Sequence, residues 1–307
     1  MKAVRLYEYG GPGQLRFEEN VPEPLLSART VLITAAAASV NPIDWKVRSG
    51  ARQRDFPLTL PAILGRDVSG VVRAVGDEVR NFRVGDRVVA MANATYAEVV
   101  AVEDDVLTHL PDGLDLVDAA ALPLIALTGF QLVRDATQVQ AGQRVLVSGA
   151  LGSVGRAAVH AARKLGARVV AGVRRLQLDA ARALGVEEVV AVDEAEAIAR
   201  LAVVDAVADT VGGAVAAALF QRVKPGGHFG FASVLPEGTA ETNPTVLVTR
   251  VFAHPDAAKV REFADDLRDG RFTLPIGRRL PLREAALAHS LGEQGGVGKI
   301  ILRVANS

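Results

Sequence analysis

Three glycines, Gly149, Gly152 and Gly155, carry the clearest chemical signal in this sequence because they stand three apart within SGALGSVGRAA. Glycine allows a tight turn and lets the backbone approach a pyrophosphate, and a helix that starts there offers unpaired N–H groups to the anion. The spacing GxxGxxG departs from the commoner GxGxxG, and a glycine triplet alone also occurs in ordinary turns. We expect the phosphates of a dinucleotide to contact Gly149, Ala150, Leu151, Gly152, Ser153, Val154 and Gly155.

The elements predicted around this turn support a nucleotide site. Residues 144–148 form a short run rich in Val and Leu, which predicts a buried parallel strand. An Ala-rich helix is expected over 154–165, and a second strand over 168–173. Strand, glycine turn, helix and strand in this order are the context that a dinucleotide-binding motif requires.

Two arginines follow the second strand, where an NAD site usually has an acidic residue that binds the ribose 2′-hydroxyl. The chain has Val173, Arg174 and Arg175 there, and no acidic residue follows until Asp179. Guanidinium groups match the charge and the hydrogen-bond geometry of a 2′-phosphate. The sequence therefore predicts NADPH as the cofactor. The alternative is that both arginines are only solvated at a helix start.

Composition is that of a globular enzyme. The chain has 307 residues, which suits two domains, and half of them are hydrophobic. The formal net charge is zero, which argues against nucleic acid or a membrane surface as partner. The absence of cysteine excludes disulfides and thiolate metal sites. We find neither a signal-peptide pattern nor an apolar run long enough for a bilayer, and we expect a cytoplasmic enzyme.

The order of predicted elements indicates an α/β chain with two lobes. Residues 1–118 have short strands and turns at a spacing typical of a barrel or sandwich. From Arg144 onwards strands alternate with helices, which predicts a doubly wound parallel sheet with an edge strand over 245–253. The tail has a predicted helix over 255–269 and a strand over 299–304. We expect the tail to rejoin the N-terminal part and a cleft to separate the lobes.

Long stretches of the chain, together with the glycine turn, share one pattern: VNPIDWKVRSG at 40–50, PAILGRDVSGVVRAVGDEV at 61–79, NFRVGDRVVAM at 81–91, PDGLDLVDAAALPLIALTGF at 111–130, VTRVFAHPDAAKV at 248–260 and PLREAALAHSLGEQGGVGKIIL at 281–302. In this pattern the chain resembles the zinc-independent quinone oxidoreductase branch of the medium-chain dehydrogenase/reductase superfamily. The resemblance implies a GroES-like β-barrel catalytic domain over 1–118, completed by 255–307, and a Rossmann NADP-binding domain over 119–254. It also implies NADPH, reduction of quinones or α,β-unsaturated carbonyls, and a homodimer.

The resemblance also bears on metal binding. Zinc-bearing relatives place a Cys early in the catalytic lobe and a His-Glu pair after the PxxxG segment. This chain has Ser39 or Asn41 at the first place, and Arg66 and Asp67 at the second. Because it has no cysteine, and histidine only at 109, 160, 228, 254 and 289, we expect no zinc site. Arg66, where relatives often carry His, is one departure from the family pattern. Others are Arg174 and Arg175, where many relatives have serines, and Glu194.

Candidate catalytic residues come from the segment NPIDWK at 41–46. Asn41 is expected to contact the nicotinamide ribose or the substrate oxygen, or else it is a turn residue before a proline. Asp44 and Lys46 could orient the substrate or donate a proton, with surface ion pairing as the alternative for each. Trp45 either lines the cleft or packs in the core.

Further cofactor contacts are expected elsewhere in the chain. By the resemblance, Thr128 faces the nicotinamide, with a bond to its own helix backbone as the alternative. Residues at the carboxyl ends of strands lie at the ligand edge of an open sheet. They are Thr210, Val211, Phe231, Ala232 and Ser233. Lys299 is expected to reach the pyrophosphate, or else it is a surface lysine.

The expected absence of a metal favours a conjugated carbonyl as the acceptor. A simple ketone lacks its usual Lewis acid in such a site, whereas hydride addition to the β-carbon of an enone spreads charge onto a distant oxygen. Two alternatives remain open from the sequence. One is a stand-alone enoyl-thioester reductase, and the other is a non-catalytic NADPH-binding protein of the crystallin type.

Overall fold

The computed structural model describes residues 1–304, and the chain divides into two compact units. Unit 1 comprises Met1–Leu124 and the chain from Pro255, and unit 2 comprises Ile125–His254. The first boundary therefore lies after Leu124, whereas the sequence analysis placed it after residue 118.

The described chain consists of strands and short helices. The strands are β1 (Ala3–Leu6), β2 (Leu15–Glu18), β3 (Thr30–Val40), β4 (Ala62–Ile63), β5 (Asp67–Val75), β6 (Arg87–Met91), β7 (Val99–Glu103), β8 (Leu107–His109), β9 (Arg144–Ser148), β10 (Arg168–Val173), β11 (Glu188–Ala191), β12 (Val204–Asp209), β13 (Val223–Phe231), β14 (Leu247–Arg250), β15 (Ile276–Pro281) and β16 (Lys299–Arg303). The helices are α1 (Pro42–Arg48), α2 (Leu116–Ala119), α3 (Pro123–Gln131), α4 (Ser153–Lys164), α5 (Leu178–Arg182), α6 (Ala195–Arg200), α7 (Gly213–Phe220), α8 (Ala257–Arg268) and α9 (Ala285–Gln294).

Unit 1 is built on a seven-stranded sheet with the order β15-β16-β3-β5-β6-β8 and β7 also paired to β3. A smaller sheet has the order β2-β1-β4. Strand β16 pairs antiparallel with β3, so the end of the chain completes this unit, as the sequence analysis expected. The buried face of the large sheet contributes Val31, Ile33, Val68, Val72 and Leu302 to one hydrophobic core.

The first domain boundary moves because α2 packs with unit 1. Ala120 and Ala121, which follow this helix, form a buried cluster with Ala37 of β3 and Ile301 of β16. Small side chains let a helix approach a sheet closely. This packing holds the chain in unit 1 beyond residue 118.

Two local details position residues of the candidate site. Strand β5 starts at Asp67, which pairs with Met91 in register. The segment after β3 forms α1, which was not predicted. Pro42 stands in its first turn, and the Asp44 carboxylate accepts a hydrogen bond from the Asn41 N–H at 2.8 Å.

Unit 2 is a six-stranded sheet with the order β11-β10-β9-β12-β13-β14. Every strand pair in it is parallel, which confirms the predicted doubly wound sheet. The strand order reverses between β9 and β12, and ligands of such sheets bind outside the carboxyl ends at this point. The edge strand β14 is shorter than the 245–253 run expected, since Val246 N–H closes a turn onto the Asn243 carbonyl.

The segment Leu116–Ala136 is long and apolar enough to cross a membrane by length and composition, with a mean hydropathy of 1.8. The prediction concerned an uninterrupted apolar run, and Asp118 and Arg134 interrupt this segment. In the structure 78% of its most apolar window is buried. Gly129 within it packs so closely that a Cβ there would lie 2.6 Å from the Ala157 side chain of α4. Burial inside the fold accounts for the apolar composition.

Candidate active site

The glycine turn of unit 2 requires glycine at two of its three positions. Gly149 directly follows β9 with a φ of +64°, and a Cβ there would lie 2.5 Å from Thr210 Oγ1. A Cβ on Gly155, in the first turn of α4, would lie 2.0 Å from the Gly149 carbonyl oxygen. The Gly152 N–H closes the turn onto the same carbonyl at 2.8 Å. These contacts leave no room for a Cβ at Gly149 or Gly155.

Helix α4 has its N-terminus in this turn. The Arg156 N–H makes the first backbone hydrogen bond of the helix, and the Arg156 side chain folds back onto the Leu151 carbonyl at 3.1 Å. The N–H groups of Ser153, Val154 and Gly155 precede that bond, so they have no partner inside the helix. Together with the helix dipole they suit a pyrophosphate. The residues present therefore fit a dinucleotide.

A buried carboxylate joins the carboxyl ends of β9 and β12. Asp209 accepts hydrogen bonds from Ser148 Oγ at 2.6 Å and from the Gly212 N–H at 2.9 Å. Thr210 Oγ1 donates to the Ser148 carbonyl at 2.7 Å. Burial raises the pKa of Asp209. Thr210 and Val211 thus lie at the predicted edge, and Asp209, an acid at the end of an apolar run, is a positioning residue that the sequence analysis missed.

The other cofactor candidates of unit 2 lie in the turn after β9, at the ends of β10 and β13, and on α3. Ala150 N–H donates to a β10 carbonyl at 3.1 Å, and Val173 is buried at the end of β10. Ala232 N–H donates to a β12 carbonyl at 2.9 Å, which places residues 231–233 at the carboxyl end of β13. Thr128 lies half-buried on α3 and already has a polar partner. Cofactor contacts of these residues remain predictions.

Arg174 and Arg175 follow β10 at exposed positions. Arg175 Nη1 pairs with Glu194 at 2.7 Å, and its N–H donates to Asp193 at 2.8 Å. Asp193 and Glu194 follow β11, the strand next to β10. No acidic residue lies between Val173 and Asp179 in the sequence, but these two acids lie beside Arg175 in the structure. Arg174 contacts Gln177 Oε1 at 3.4 Å, and within residues 1–304 no acidic side chain pairs with it. Arg174 is therefore the better candidate for a 2′-phosphate.

A buried charged cluster lies in unit 1 where β3, β5 and β16 meet. Asp67 accepts hydrogen bonds from Ser39 Oγ at 2.5 Å and from Asn41 Nδ2 at 2.8 Å. Lys299 Nζ donates to Asn41 Oδ1 at 2.6 Å and lies 3.8 Å from Asp67. The antiparallel register of β16 on β3 brings Lys299 to this place.

This cluster corrects two of the sequence interpretations. Lys299 is only 5% exposed, so the surface alternative is wrong. Its ammonium lies among Asn41, Asp67 and the Val40 carbonyl, and its contact with the pyrophosphate remains a prediction. Burial lowers the pKa of Lys299, an effect that the nearby carboxylates oppose. The Asn41 amide both donates and accepts inside the cluster, so Asn41 positions β3 and α1 and is more than a turn residue.

A second buried chain of hydrogen bonds starts at Asp44 on α1. Tyr96 Oη lies 3.1 Å from Asp44 Oδ2 and 3.1 Å from His289 Nε2. Arg48 Nη1 lies 3.3 Å from His289 Nδ1. Arginine has no acceptor, so Nδ1 must accept and the proton of the neutral ring sits on Nε2. The ring then donates to the Tyr96 oxygen, and the Tyr96 hydroxyl donates to Asp44.

The ionisation states in this chain follow from burial. Burial lowers the pKa of His289 to about 3, and the Arg48 charge adds to the effect, so the ring is neutral near pH 7. Burial also raises the pKa of Tyr96 well above its usual value. For Asp44, burial and then the charge of Asp67 raise the pKa to about 7, against the hydrogen bond from the Asn41 N–H. The Asp44 carboxyl therefore holds a proton for a substantial part of the time at neutral pH.

The residues of the segment NPIDWK lie in different environments in the structure. Asp44 is 3% exposed, so the surface alternative is wrong for it. Lys46 is half-buried on α1, and its catalytic role remains a prediction. Trp45 packs in the core, where a Cβ on Gly292 of α9 would lie 2.7 Å from its ring.

Most residues of the hydrogen-bonded chain around Asp44 were not predicted from the sequence. Arg48, Tyr96 and His289 were not assigned any role, and Asp67 was considered only as a metal position. Asp67 had a local signal, since it is an acid that opens an apolar strand within GRDVSGVV. No local sequence signal pointed to His289, because it lies 241 residues from Arg48 in the chain.

A cavity of about 410 Å³ opens in unit 1 beside α1. Its wall is largely apolar and includes Phe56 and Leu58. The polar residues of the wall are Asp44, Asp55, Arg66 and Asn93. A cavity of this size with a few polar groups is typical of a small-molecule site.

The positions that hold zinc in metal-bearing relatives do not fit zinc in this chain. Ser39 donates its hydroxyl to Asp67, and Arg66 contributes a cation where a ligand would stand. Across the part of the chain that the structure describes, no group of three His, Cys, Asp or Glu residues could hold a metal. Zinc requires several neutral or anionic N, O or S ligands around one point. We therefore assign no step to a metal.

Comparison with known proteins places the chain in a family. Residues 27–112 match the alcohol dehydrogenase GroES-like domain, and residues 184–302 match the zinc-binding dehydrogenase family. Human quinone oxidoreductase is 30% identical, over 98% of this chain and 97% of its own length.

Solved structures agree with this assignment. The quinone oxidoreductase from Coxiella burnetii has a TM-score of 0.86 and 30% identity, with 99% of each chain covered. A mycobacterial protein solved in complex with NADPH has a TM-score of 0.82 and 28% identity, covering 99% of this chain and 100% of that one. The chain therefore belongs to the quinone oxidoreductase branch of the medium-chain dehydrogenase/reductase superfamily, with a GroES-like domain and a Rossmann-type NAD(P)-binding domain.

Proposed function

We propose that the protein is an NADPH-dependent reductase of quinones or α,β-unsaturated carbonyl compounds. One observation carries this proposal: a carboxyl whose pKa is raised to about 7, Asp44, lies in the wall of a mostly apolar cavity. The family to which the chain belongs makes hydride transfer the natural chemistry. The cavity supplies space for an apolar acceptor, and Asp44 supplies a proton at the pH of the reaction.

The balance of the reaction defines the role of Asp44. Bound NADPH supplies a hydride, which is two electrons and one proton. A quinone needs one further proton to become a hydroquinone, and an enone needs one further proton to become the saturated carbonyl. Protonated Asp44 donates this proton and recovers another from water. The hydrogen bonds from Tyr96 and the Asn41 N–H stabilise the carboxylate that remains.

Cofactor binding rests on unit 2. The N–H groups at the start of α4 bind the pyrophosphate, and Gly149 and Gly155 keep the approach open. Arg174 binds the 2′-phosphate, and this selects NADPH over NADH. The family relation supports a nicotinamide cofactor, and the lack of an acidic partner for Arg174 among residues 1–304 supports the phosphate form.

A screen of NADPH oxidation tests the function. Quinones, enones, enals and enoyl thioesters are compared as acceptors, and deuteride from labelled NADPH is located in the enone product. We expect label at the β-carbon. Label on the carbonyl carbon rejects 1,4-reduction, a clear preference for thioesters selects an enoyl-thioester reductase, and no oxidation with any acceptor indicates a non-catalytic protein.

Asp44→Asn tests the proton donor separately. We expect it to slow enone reduction, because the amide cannot donate a proton of comparable acidity. Asp55→Asn is the matched control, since Asp55 lies in the same wall but pairs with Arg52 at 2.9 Å. Equal rates for wild type and Asp44→Asn reject Asp44 as the donor and leave protonation to solvent.

We also propose a homodimer that pairs through the edge strand β14 and a location in the cytoplasm. An exposed edge strand offers unpaired backbone groups to a second copy. Cell fractionation tests the location, and recovery in the membrane fraction contradicts it.

A further inference from the structure

Arg66 is a cation in the cavity wall that has no anionic partner among residues 1–304. It is half-buried just before β5, and its guanidinium carbon lies 5.6 Å from the centre of the Phe56 ring. Its Nε is buried and makes no hydrogen bond to any described residue. A buried N–H without an acceptor costs free energy, so a ligand that brings an acceptor oxygen to Arg66 binds favourably.

The other charged groups of the wall do not neutralise Arg66. Asp55 is paired with Arg52 at 2.9 Å. Asp44 receives its hydrogen bonds at Oδ2 from the Asn41 N–H and from Tyr96, and its raised pKa of about 7 leaves it only partly charged near pH 7. The wall therefore presents one uncompensated positive charge beside apolar surface.

The cavity wall also contains a strained residue. Ala94 has a φ of +56°, a left-handed conformation that disfavours any side chain with a Cβ. Such strain persists where the surrounding structure enforces it, and it is concentrated at ligand sites. This observation is independent of Arg66 and supports the same cavity as a binding site.

We propose that this cavity selects conjugated carbonyl substrates that carry a carboxylate, with the carboxylate bound by Arg66 and the planar apolar body packed on Phe56 and Leu58. A carboxylate matches the guanidinium fork and compensates its single charge, whereas a dianion would leave excess charge in an apolar wall. Arginine stacked on an aromatic ring keeps its N–H edge available for this contact. The proposal rests on the proposed function, because it names the substrate class of that same site.

Turnover of a matched pair of substrates tests the proposal. The probes are 3-(1,4-naphthoquinon-2-yl)propanoate and its methyl ester, which differ in charge but share the quinone. We expect kcat/KM for the acid to exceed that for the ester by about tenfold, the factor that one charged hydrogen bond at a half-buried site supplies. Arg66→Gln should abolish this preference, and Arg66→Lys should keep part of it.

The control variant is Arg54→Gln. Arg54 is an exposed arginine near the cavity segment in sequence but is not part of the wall. It should preserve the wild-type ratio of acid to ester. If Arg66→Gln lowers the rates for acid and ester equally, Arg66 acts on the shared quinone oxygen and the proposal is overturned. A wild-type protein that does not distinguish acid from ester also overturns it, and this outcome needs no variant.

A binding measurement separates this proposal from the proposed function. Calorimetric titration of 2-naphthoate and 2-naphthamide, which NADPH cannot reduce, reports the site without turnover. Tighter binding of the naphthoate to wild type, lost in Arg66→Gln, supports the carboxylate site even if no acceptor oxidises NADPH. Equal affinity for the two compounds rejects it even if quinone reduction is found.

Discussion

The raised pKa of Asp44 predicts that ionisation of this residue destabilises the fold. Burial moves the pKa from 3.8 to about 7. Between these two values the native state binds more protons than the unfolded state, so stability falls as the pH rises through this window. A rise of about three pKa units at about 1.4 kcal/mol each gives a loss of about 4 kcal/mol once the pH exceeds the folded pKa.

Asp44→Asn tests this number because the amide keeps an acceptor oxygen for Tyr96 and the Asn41 N–H but does not ionise. The free energy of unfolding of wild type and variant is measured by urea denaturation from about pH 4 to about pH 8. Across this range the stability of the variant relative to wild type should increase by about 4 kcal/mol. The difference at the acid end is the internal control, because both side chains are neutral in the native state there. A stability difference that stays constant within about 1 kcal/mol across this range would refute the raised pKa.

Removal of the Tyr96 hydroxyl extends the test. This hydroxyl donates to the carboxylate and so opposes the rise in pKa. Tyr96→Phe should therefore shift the pH window of destabilisation upward. Tyr9→Phe is the matched control, because the Tyr9 hydroxyl accepts from the Leu58 N–H at 3.2 Å and is not among the hydrogen-bond partners of Asp44. Equal shifts in both variants contradict the assigned contact.

Three further predictions concern the cofactor, the metal and the assembly. Arg174→Ala should weaken NADPH binding by about tenfold to hundredfold and leave NADH nearly unchanged, with a smaller effect of Arg175→Ala because Glu194 already pairs with that arginine. Fluorescence titration measures both cofactors, and equal losses for NADH and NADPH contradict the 2′-phosphate assignment. Chelation should leave NADPH turnover intact, and the finding of stoichiometric zinc whose removal abolishes activity would overturn this. The protein should sediment as a dimer at micromolar concentration and Leu247→Asp, on the exposed edge strand, as a monomer; a wild-type monomer contradicts the proposed pairing.

Much of unit 2 could be predicted from sequence because its determinants are local. The glycine triplet fixes a turn through the φ of Gly149 and the close approach of Gly155, and both depend on neighbours within a few residues. The alternation of Val-rich runs with Ala-rich helices predicts a parallel sheet for the same reason. The ends of elements were predicted less well. At β14 the turn closed by the Val246 N–H ends directly before the strand, and the sequence carries little signal for such a boundary.

The candidate site of unit 1 was only partly visible because its determinants are distant in sequence. Asn41 and Asp44 were identified as candidates within the segment NPIDWK, but a charged residue in a sequence is most often exposed. Lys299 and Arg66 illustrate the same limit. Lys299 was expected at the pyrophosphate or at the surface, and Arg66 was noted only as a position where the chain departs from its relatives.

The tertiary structure alone decided which of these charges are buried and with what partners. The register of β16 on β3 brings Lys299 to Asn41 across 258 residues of chain, and α9 brings His289 to Arg48 across 241. The sequence by itself determined the nucleotide turn, the parallel sheet and the absence of thiolate ligands. It could not determine the protonation of Asp44, because a pKa depends on burial and on neighbours that only the folded chain assembles.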